Sequence, residues 1–324
     1  MPKAGVAYSR RTSRAIPSMN VLPEVQQALT DDLPVVALES TIVAHGFPYP
    51  DSLTVAQALH EAVRNAGAVP AMIAIESGVV KIGLDERGIE LIAERDDVEK
   101  CGVADIAAVC ARGVHGATTV SASISLAAQA GVRVFATGGL GGVHRYAPGA
   151  GDQPFDVSAD LVALSRTPIT AVSSGAKMLL DLPATVEALE TLGVPVLGFG
   201  TREFPAFYVS SSGIPLRHVF DSMTDLARAV QVHRQFGRES GILICNPPPV
   251  DVALDAEDLE RWVDQALARA DDDKISGSNL TPYVLSVLHE LSDGATIACN
   301  RALAISNAEL AGRLSVAFST LPTT

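Results

Sequence analysis

A chain of 324 residues, 48% hydrophobic and with a mean hydropathy of +0.26, carries enough apolar material for a large core and is not a disordered segment. Its 24 basic and 37 acidic side chains give a net charge of −13, which argues against a general binder of nucleic acid or anionic membranes, so an anionic ligand needs a local positive site. Cys101, Cys110, Cys245 and Cys299 form no CxxC pair and read as reduced thiols; with no membrane-length apolar run and no signal-peptide core, the expectation is a soluble cytoplasmic protein.

Residues 1–20 hold Lys3, Arg10, Arg11 and Arg14 with no acid before Glu24, and read as a flexible basic leader with no assigned chemistry. The first buried strand, "PVVAL", ends at Glu39. A half-desolvated carboxyl at that exit is a candidate general acid or base, with a cap or salt-bridge role as the alternative. Helical periodicity over 53–66 leads into a second strand in "AGAVPAMIAI" at 66–75. Lys100 follows an acidic stretch and can reach an anion or stay solvated. "HGATTVSAS" at 115–123 brings hydroxyls to the start of a helix over 121–130, whose first amides can hold a phosphate or sugar; ordinary capping accounts for the same pattern.

The strand in "AGVRVFATGG" at 130–139 runs into "GGLGGVHR", which matches neither GxGxxG nor GxxxxGK[ST]. Its backbone amides can cradle a phosphate, with His144 and Arg145 as further donors. "FDVSADLVAL" reads as a helix start in which Asp156 and Asp160 share a face and offer hard oxygens to manganese or magnesium; capping by Asp156 or Ser158 explains it as well. "PITAVSSGAKMLLDLPATVEAL" at 168–189 is a strand that breaks at Gly175 and sets Lys177 before an apolar run. If buried, that amine is favoured in its neutral form and can form a Schiff base; alternatively it sits in the first turn of a helix with its ammonium in water.

A helix over 183–192, a strand in 192–200, a helix over 222–237, a strand in 239–249 and a helix over 255–270 follow. The stretch 266–282 is a polar loop, and the last fifty residues are mostly helical, with Asn300 a polar group that must find a partner if buried. The pattern predicts an α/β fold: a mostly parallel central sheet flanked by helices on both faces, with a helical C-terminal segment, in one domain over 21–324. Ligands of such folds gather beyond the carboxyl ends of the strands, so Glu39, the glycines of 138–145 and Lys177 should face one crevice.

Taken together, "VVALESTIVAHGFPYP", "GATTVSAS", "VFATGGLGGVHR", "FDVSADL", "SSGAKMLLDLPATVEALETLGVPVLGF", "TREFPAFY" and the Asn300–Asn307 segment closely resemble the pseudouridine-5'-phosphate glycosidase (indigoidine synthase A-like) family, over about residues 20–316. The resemblance implies reversible cleavage of the C–C glycosidic bond of pseudouridine 5'-phosphate to uracil and ribose 5-phosphate. It implies Lys177 as Schiff-base nucleophile, Glu39 as proton donor and Asp156 as ligand of one manganese ion per subunit. It also implies substrate contacts at Lys100, Val120, Thr137, His144, Ser158, Ala159 and Asp160, Asn300 on the uracil side, and a homotrimer. The chain departs from the family pattern at Val103 and Ala104, where arginines are common, at Ser278 and Asn279 in place of Lys-Glu, and at Ser173, Ser174 and Arg301. Two other readings fit the residues: a Schiff-base enzyme for a different sugar phosphate nucleotide, and a non-catalytic ribose 5-phosphate-binding protein.

Overall fold

The computed structural model describes residues 19–145, 156–275 and 280–321. Nearly all of the basic leader, with Ser278 and Asn279, lies outside the described residues. The apolar runs build seven parallel strands in the spatial order Val69–Glu76, Val35–Glu39, Val134–Ala136, Thr170–Ser173, Ile242–Cys245, Val196–Phe199, His218–Phe220. The central ones are buried on both faces because helices cover both sides, which is why they read as continuous rather than alternating hydrophobic runs. Helices Ala295–Ser319, Asp51–Asn65 and Met223–Gln235 pack together on one face, and Val120–Gln129 and Ala159–Ser165 pack on the other.

Two features position the site. The chain lays down Val35–Glu39, adds Val69–Glu76 on one side of it, and returns to add Val134–Ala136 on the other. This reversal opens a crevice at the carboxyl ends of Val35–Glu39 and Val134–Ala136. The second feature is a split in the sheet. Val69–Glu76 pairs with Val35–Glu39 as far as Glu39↔Ile73, and then the same edge pairs antiparallel with Gly116–Thr118 at Ala74 and Ile75. The opposite edge turns back through Ser77 and Gly78, at φ 47° and 80°, into the antiparallel strand Val79–Ile82.

Hydroxyl groups stitch the split. Ser40 Oγ accepts the Thr118 N–H at 2.8 Å, Thr118 Oγ1 donates to the Ile73 carbonyl at 2.6 Å, and Ser123 Oγ donates to Thr118 Oγ1 at 2.8 Å. Several of the hydroxyls in "ALEST" and "GATTVSAS" are therefore spent on shaping the exit of Glu39.

Helix Ala295–Ser319 runs antiparallel to the strands beneath it: Ser315 Oγ bonds the Val35 carbonyl at 3.3 Å at their amino end, and Asn300 lies at the carboxyl end. Among the described residues no helix is long and apolar enough to cross a membrane.

Candidate functional site

Glu39 ends its strand at the reversal point and accepts a hydrogen bond on Oε1 from the Thr137 hydroxyl, the first residue past Val134–Ala136. Burial pushes its carboxyl above the ordinary range, opposed by the Lys177 charge and by the Thr137 bond. A carboxyl that keeps its proton longer suits an acid.

Lys177 lies in a turn, not in the first turn of a helix; helix Leu182–Thr191 starts five residues later. Its backbone N–H donates to the Leu140 carbonyl at 3.1 Å, the Leu140 N–H donates to Gly175 at 3.0 Å, and the Ser174 N–H donates to Gly138 at 2.9 Å. These bonds zip the 138–142 loop to the 174–177 loop. Gly175 is required here: its φ is 73°, and a Cβ would stand 1.9 Å from the Pro205 carbonyl oxygen. Lys177 is half-buried, so the amine is accessible from the crevice.

Lys100, on strand Glu99–Cys101, is exposed as a residue, yet its ammonium end reaches the same crevice, and desolvation there plus the Lys177 charge pushes it below the ordinary lysine range. His45 stands beside them, lowered by burial and by Lys100.

Two compartments meet at these side chains. Glu39, Thr41, His45, Lys100 and Lys177 border both. The smaller, about 560 Å³ including its open mouth, is further lined by Ile42, Gly138, Gly139, Phe207, Leu285 and Asn300. Asn300 is 8% exposed, and its Oδ1 is buried with no hydrogen-bond partner. That orphan acceptor awaits a donor. The larger is an open depression of about 2100 Å³, lined among others by Val120, His144, Asp156, Ser158, Ala159 and Asp160. The sequence-derived candidates thus converge, with Thr137 lining a small adjoining cavity beside Glu39.

The structure revises several expectations. Asp156 and Asp160 do not share a helix face, because the helix starts at Ala159 with Ser158 as its cap. Asp160 is buried, and its two oxygens accept the backbone N–H groups of Ser121 and Gly141, each at 2.9 Å. It clamps the start of helix Val120–Gln129 to the glycine loop. The glycines of that loop admit close neighbours more than a phosphate: a Cβ at Gly139 would meet the Phe207 ring at 2.6 Å, and one at Gly141 would meet Ser158 Oγ at 2.3 Å. Arg145 spends Nε and one Nη2 hydrogen on the carbonyls of Leu180 and Met178, at 3.2 and 3.0 Å, bracing the loop that carries Lys177.

Asp156 is half-exposed, with its Oδ2 3.8 Å from His144 Nδ1; burial lowers the His144 imidazole and Asp156 opposes this. Among the described residues no group of three or more His, Cys, Asp or Glu surrounds a common point. This donor set fits a hard, largely hydrated cation on one carboxylate and does not fit a closed metal cage.

His45, Phe207 and Asn307 escaped the sequence reading. His45 had a signal, since it falls on the quoted "TIVAHGF" run just past Glu39.

Residues 24–317 match the family model described as indigoidine synthase A like protein. Pseudouridine-5'-phosphate glycosidase of Jannaschia sp. (strain CCS1) is 48% identical over 298 residues, covering 92% of this chain and 97% of the relative. The protein of that name from Caldanaerobacter subterraneus subsp. tengcongensis is 44% identical over 298 residues, 92% of this chain and 96% of its own. The prealnumycin C-glycosynthase AlnA, solved in complex with ribulose 5-phosphate, superposes with a TM-score of 0.84 at 38% identity, covering 93% of this chain and 97% of that one. An indigoidine synthase A-like protein from Thermotoga maritima gives 0.81 at 33% identity, covering 88% and 93%.

Proposed function

We propose, starting from the fact that this chain belongs to the indigoidine synthase A-like family, that it is a pseudouridine-5'-phosphate glycosidase. It takes pseudouridine 5'-phosphate and water to uracil and ribose 5-phosphate, reversibly. The observation that carries this reading is the junction of two compartments at a lysine and a buried carboxyl, with an orphan acceptor in the smaller one. A nucleotide whose base and sugar phosphate must be parted fits that layout.

A C–C glycosidic bond offers no leaving-group oxygen to protonate, so the two-carboxylate route is unsuited. The Lys177 amine adds to C1′ while the ring oxygen takes the Glu39 proton and the C1′–O bond opens. The new C1′–N ammonium returns its extra proton to the Glu39 carboxylate, which passes it to uracil C5 as the C1′–C5 bond breaks and the nitrogen lone pair forms the C1′ iminium; water then releases ribose 5-phosphate and restores the amine. Asn300 Oδ1 accepts a uracil N–H. Lys100 faces the sugar phosphate, beside Val120, Thr137, His144, Ser158 and Ala159, while Asp160 holds the first turn of helix Val120–Gln129 in place through the Ser121 N–H.

One manganese ion per subunit, held by Asp156 and otherwise hydrated, would offset phosphate charge and order water when bound. Homotrimeric assembly in the cytoplasm accompanies the family reading. The exposed side chains of Val103, Val157 and Val162, on or next to segments lining the larger compartment, are what such an interface would cover. Val103 and Ala104, where the family commonly has arginines, favour a second reading in which the same lysine serves a differently substituted nucleotide.

The test is uracil release from pseudouridine 5'-phosphate with manganese, on wild type, Lys177→Ala and Asp156→Ala. Release by wild type alone among the first two, with Asp156→Ala losing its response to added manganese, is the expected result. A folded wild type that yields no uracil overturns the substrate; a Lys177→Ala variant as fast as wild type overturns the nucleophile.

A further inference from the structure

Two turns past Asn300, helix Ala295–Ser319 carries another asparagine that the proposed chemistry does not use. Asn307 is 0% exposed. Its Nδ2 donates to the carbonyls of Thr137 and Gly138, at 2.8 and 3.2 Å, and lies 3.1 Å from Ser174 Oγ. Its Oδ1 accepts from Asn246 Nδ2 at 2.9 Å. The two carbonyls fix the orientation of the amide, since the flipped form would set oxygen against oxygen.

Its partners share a place in the fold. Thr137, Ser174 and Asn246 are each the first residue past a strand, and those strands, Val134–Ala136, Thr170–Ser173 and Ile242–Cys245, are consecutive neighbours in the sheet. From Thr137 the hydroxyl reaches Glu39; from Ser174 the chain passes Gly175, wedged under the Pro205 carbonyl, to Lys177 three residues on.

We infer that Asn307 is a positioning residue: one buried carboxamide pins the first residue beyond three adjacent strands and so sets where the Glu39 carboxyl stands relative to the Lys177 amine. This rests on the proposed roles of those two groups. A misplacement of about 1 Å between reacting groups costs on the order of 100-fold in rate. Satisfying a buried polar group could be done locally within the helix; here the bonds leave the helix and end on the two loops that hold the chemistry.

The experiment compares Asn307→Leu, Asn246→Ala and Thr137→Val with wild type. Asn307→Leu is expected to lower kcat by about 10- to 100-fold with KM within about threefold. Its Glu39-dependent limb in the rate profile should move to higher pH, toward that of Thr137→Val, because losing the bond to the Thr137 carbonyl lets that residue shift and loosens its hydroxyl from the carboxylate. Of the other groups acting on Glu39, Lys100 and Asp160 are untouched by the three substitutions, and a retreat of the Lys177 charge in Asn307→Leu raises Glu39 further, in the same direction. Asn246→Ala, which frees only the far side of the amide, should give a smaller shift of the same sign and serves if Asn307→Leu does not fold. A purely structural asparagine would lower the melting temperature and leave limb and kcat in place, and that result overturns the inference. Acetic anhydride labelling of Lys177, followed by peptide mass, needs no substrate. It should change between wild type and Asn307→Leu even if no uracil is released, which separates failure of this inference from failure of the functional reading.

Discussion

Removing the Asp160 carboxylate tests whether this acid is a clamp rather than a substrate ligand. Its oxygens hold two backbone N–H groups at 2.9 Å, one of them on fully buried Ser121. Hydrogen bonds to a charged group are worth about 1.5–3 kcal/mol each. Water from the open compartment can partly re-satisfy Gly141, so Asp160→Ala should cost about 3 kcal/mol. With an unfolding entropy of about 2.1 cal/mol/K per residue, a chain of 324 residues shifts its melting point by about 1.5 °C per kcal/mol, giving a fall of about 4 °C. Asp160→Asn keeps one acceptor but turns an NH₂ toward the other N–H, and should fall about half as far. Scanning calorimetry of the three proteins measures this. The Asp160 charge also helps raise Glu39, so in Asp160→Asn the Glu39-dependent limb, on the high-pH side of the rate profile, should move to lower pH. If both variants melt with wild type while only KM rises, Asp160 is a substrate ligand and the clamp reasoning is refuted.

Glu39→Gln should stabilise the protein increasingly as pH rises. The folded carboxyl sits above its ordinary value, so the folded state holds the proton more tightly than the unfolded chain, and wild type loses stability as pH climbs from about 4.5 through the raised value. Urea midpoints of the pair at pH 4.5 and 8 check this, and a gap that stays constant with pH contradicts it. Gly175→Ala meets both a positive φ and the Pro205 carbonyl, and is expected to lower kcat at least about 10-fold by displacing the Lys177 loop. Gly193→Ala, at φ 68° with open space around it, is the control that should cost only about 1 kcal/mol and leave kcat alone.

The sheet was readable where strands are continuous apolar runs ended by glycine or Glu39. Expected helices at 53–66, 121–130, 183–192 and 222–237 lie within two residues at each end of Asp51–Asn65, Val120–Gln129, Leu182–Thr191 and Met223–Gln235. Strands Glu99–Cys101 and Gly116–Thr118 were not readable, since three residues show no periodicity and the pairing is set by a distant edge. The site residues were legible by type because ligands collect at strand ends. Their partners were not: Arg145 reads as an anion donor, yet its Nε and one Nη2 hydrogen go to the carbonyls of Leu180 and Met178, and Asn307 meets Thr137 from 170 positions away. Asp156 and Asp160 misled through spacing alone, because the cap at Ser158 ends the shared face before it begins.

On the proposed chemistry, the junction of the two compartments also implies an order of events. If the base occupies one chamber and the sugar phosphate the other, free uracil can leave and return while the pentose remains tethered to the lysine between them. Radiolabelled uracil should then enter pseudouridine 5'-phosphate faster than net turnover when hydrolysis of the tether is slow, and saturating ribose 5-phosphate should not be needed for that exchange.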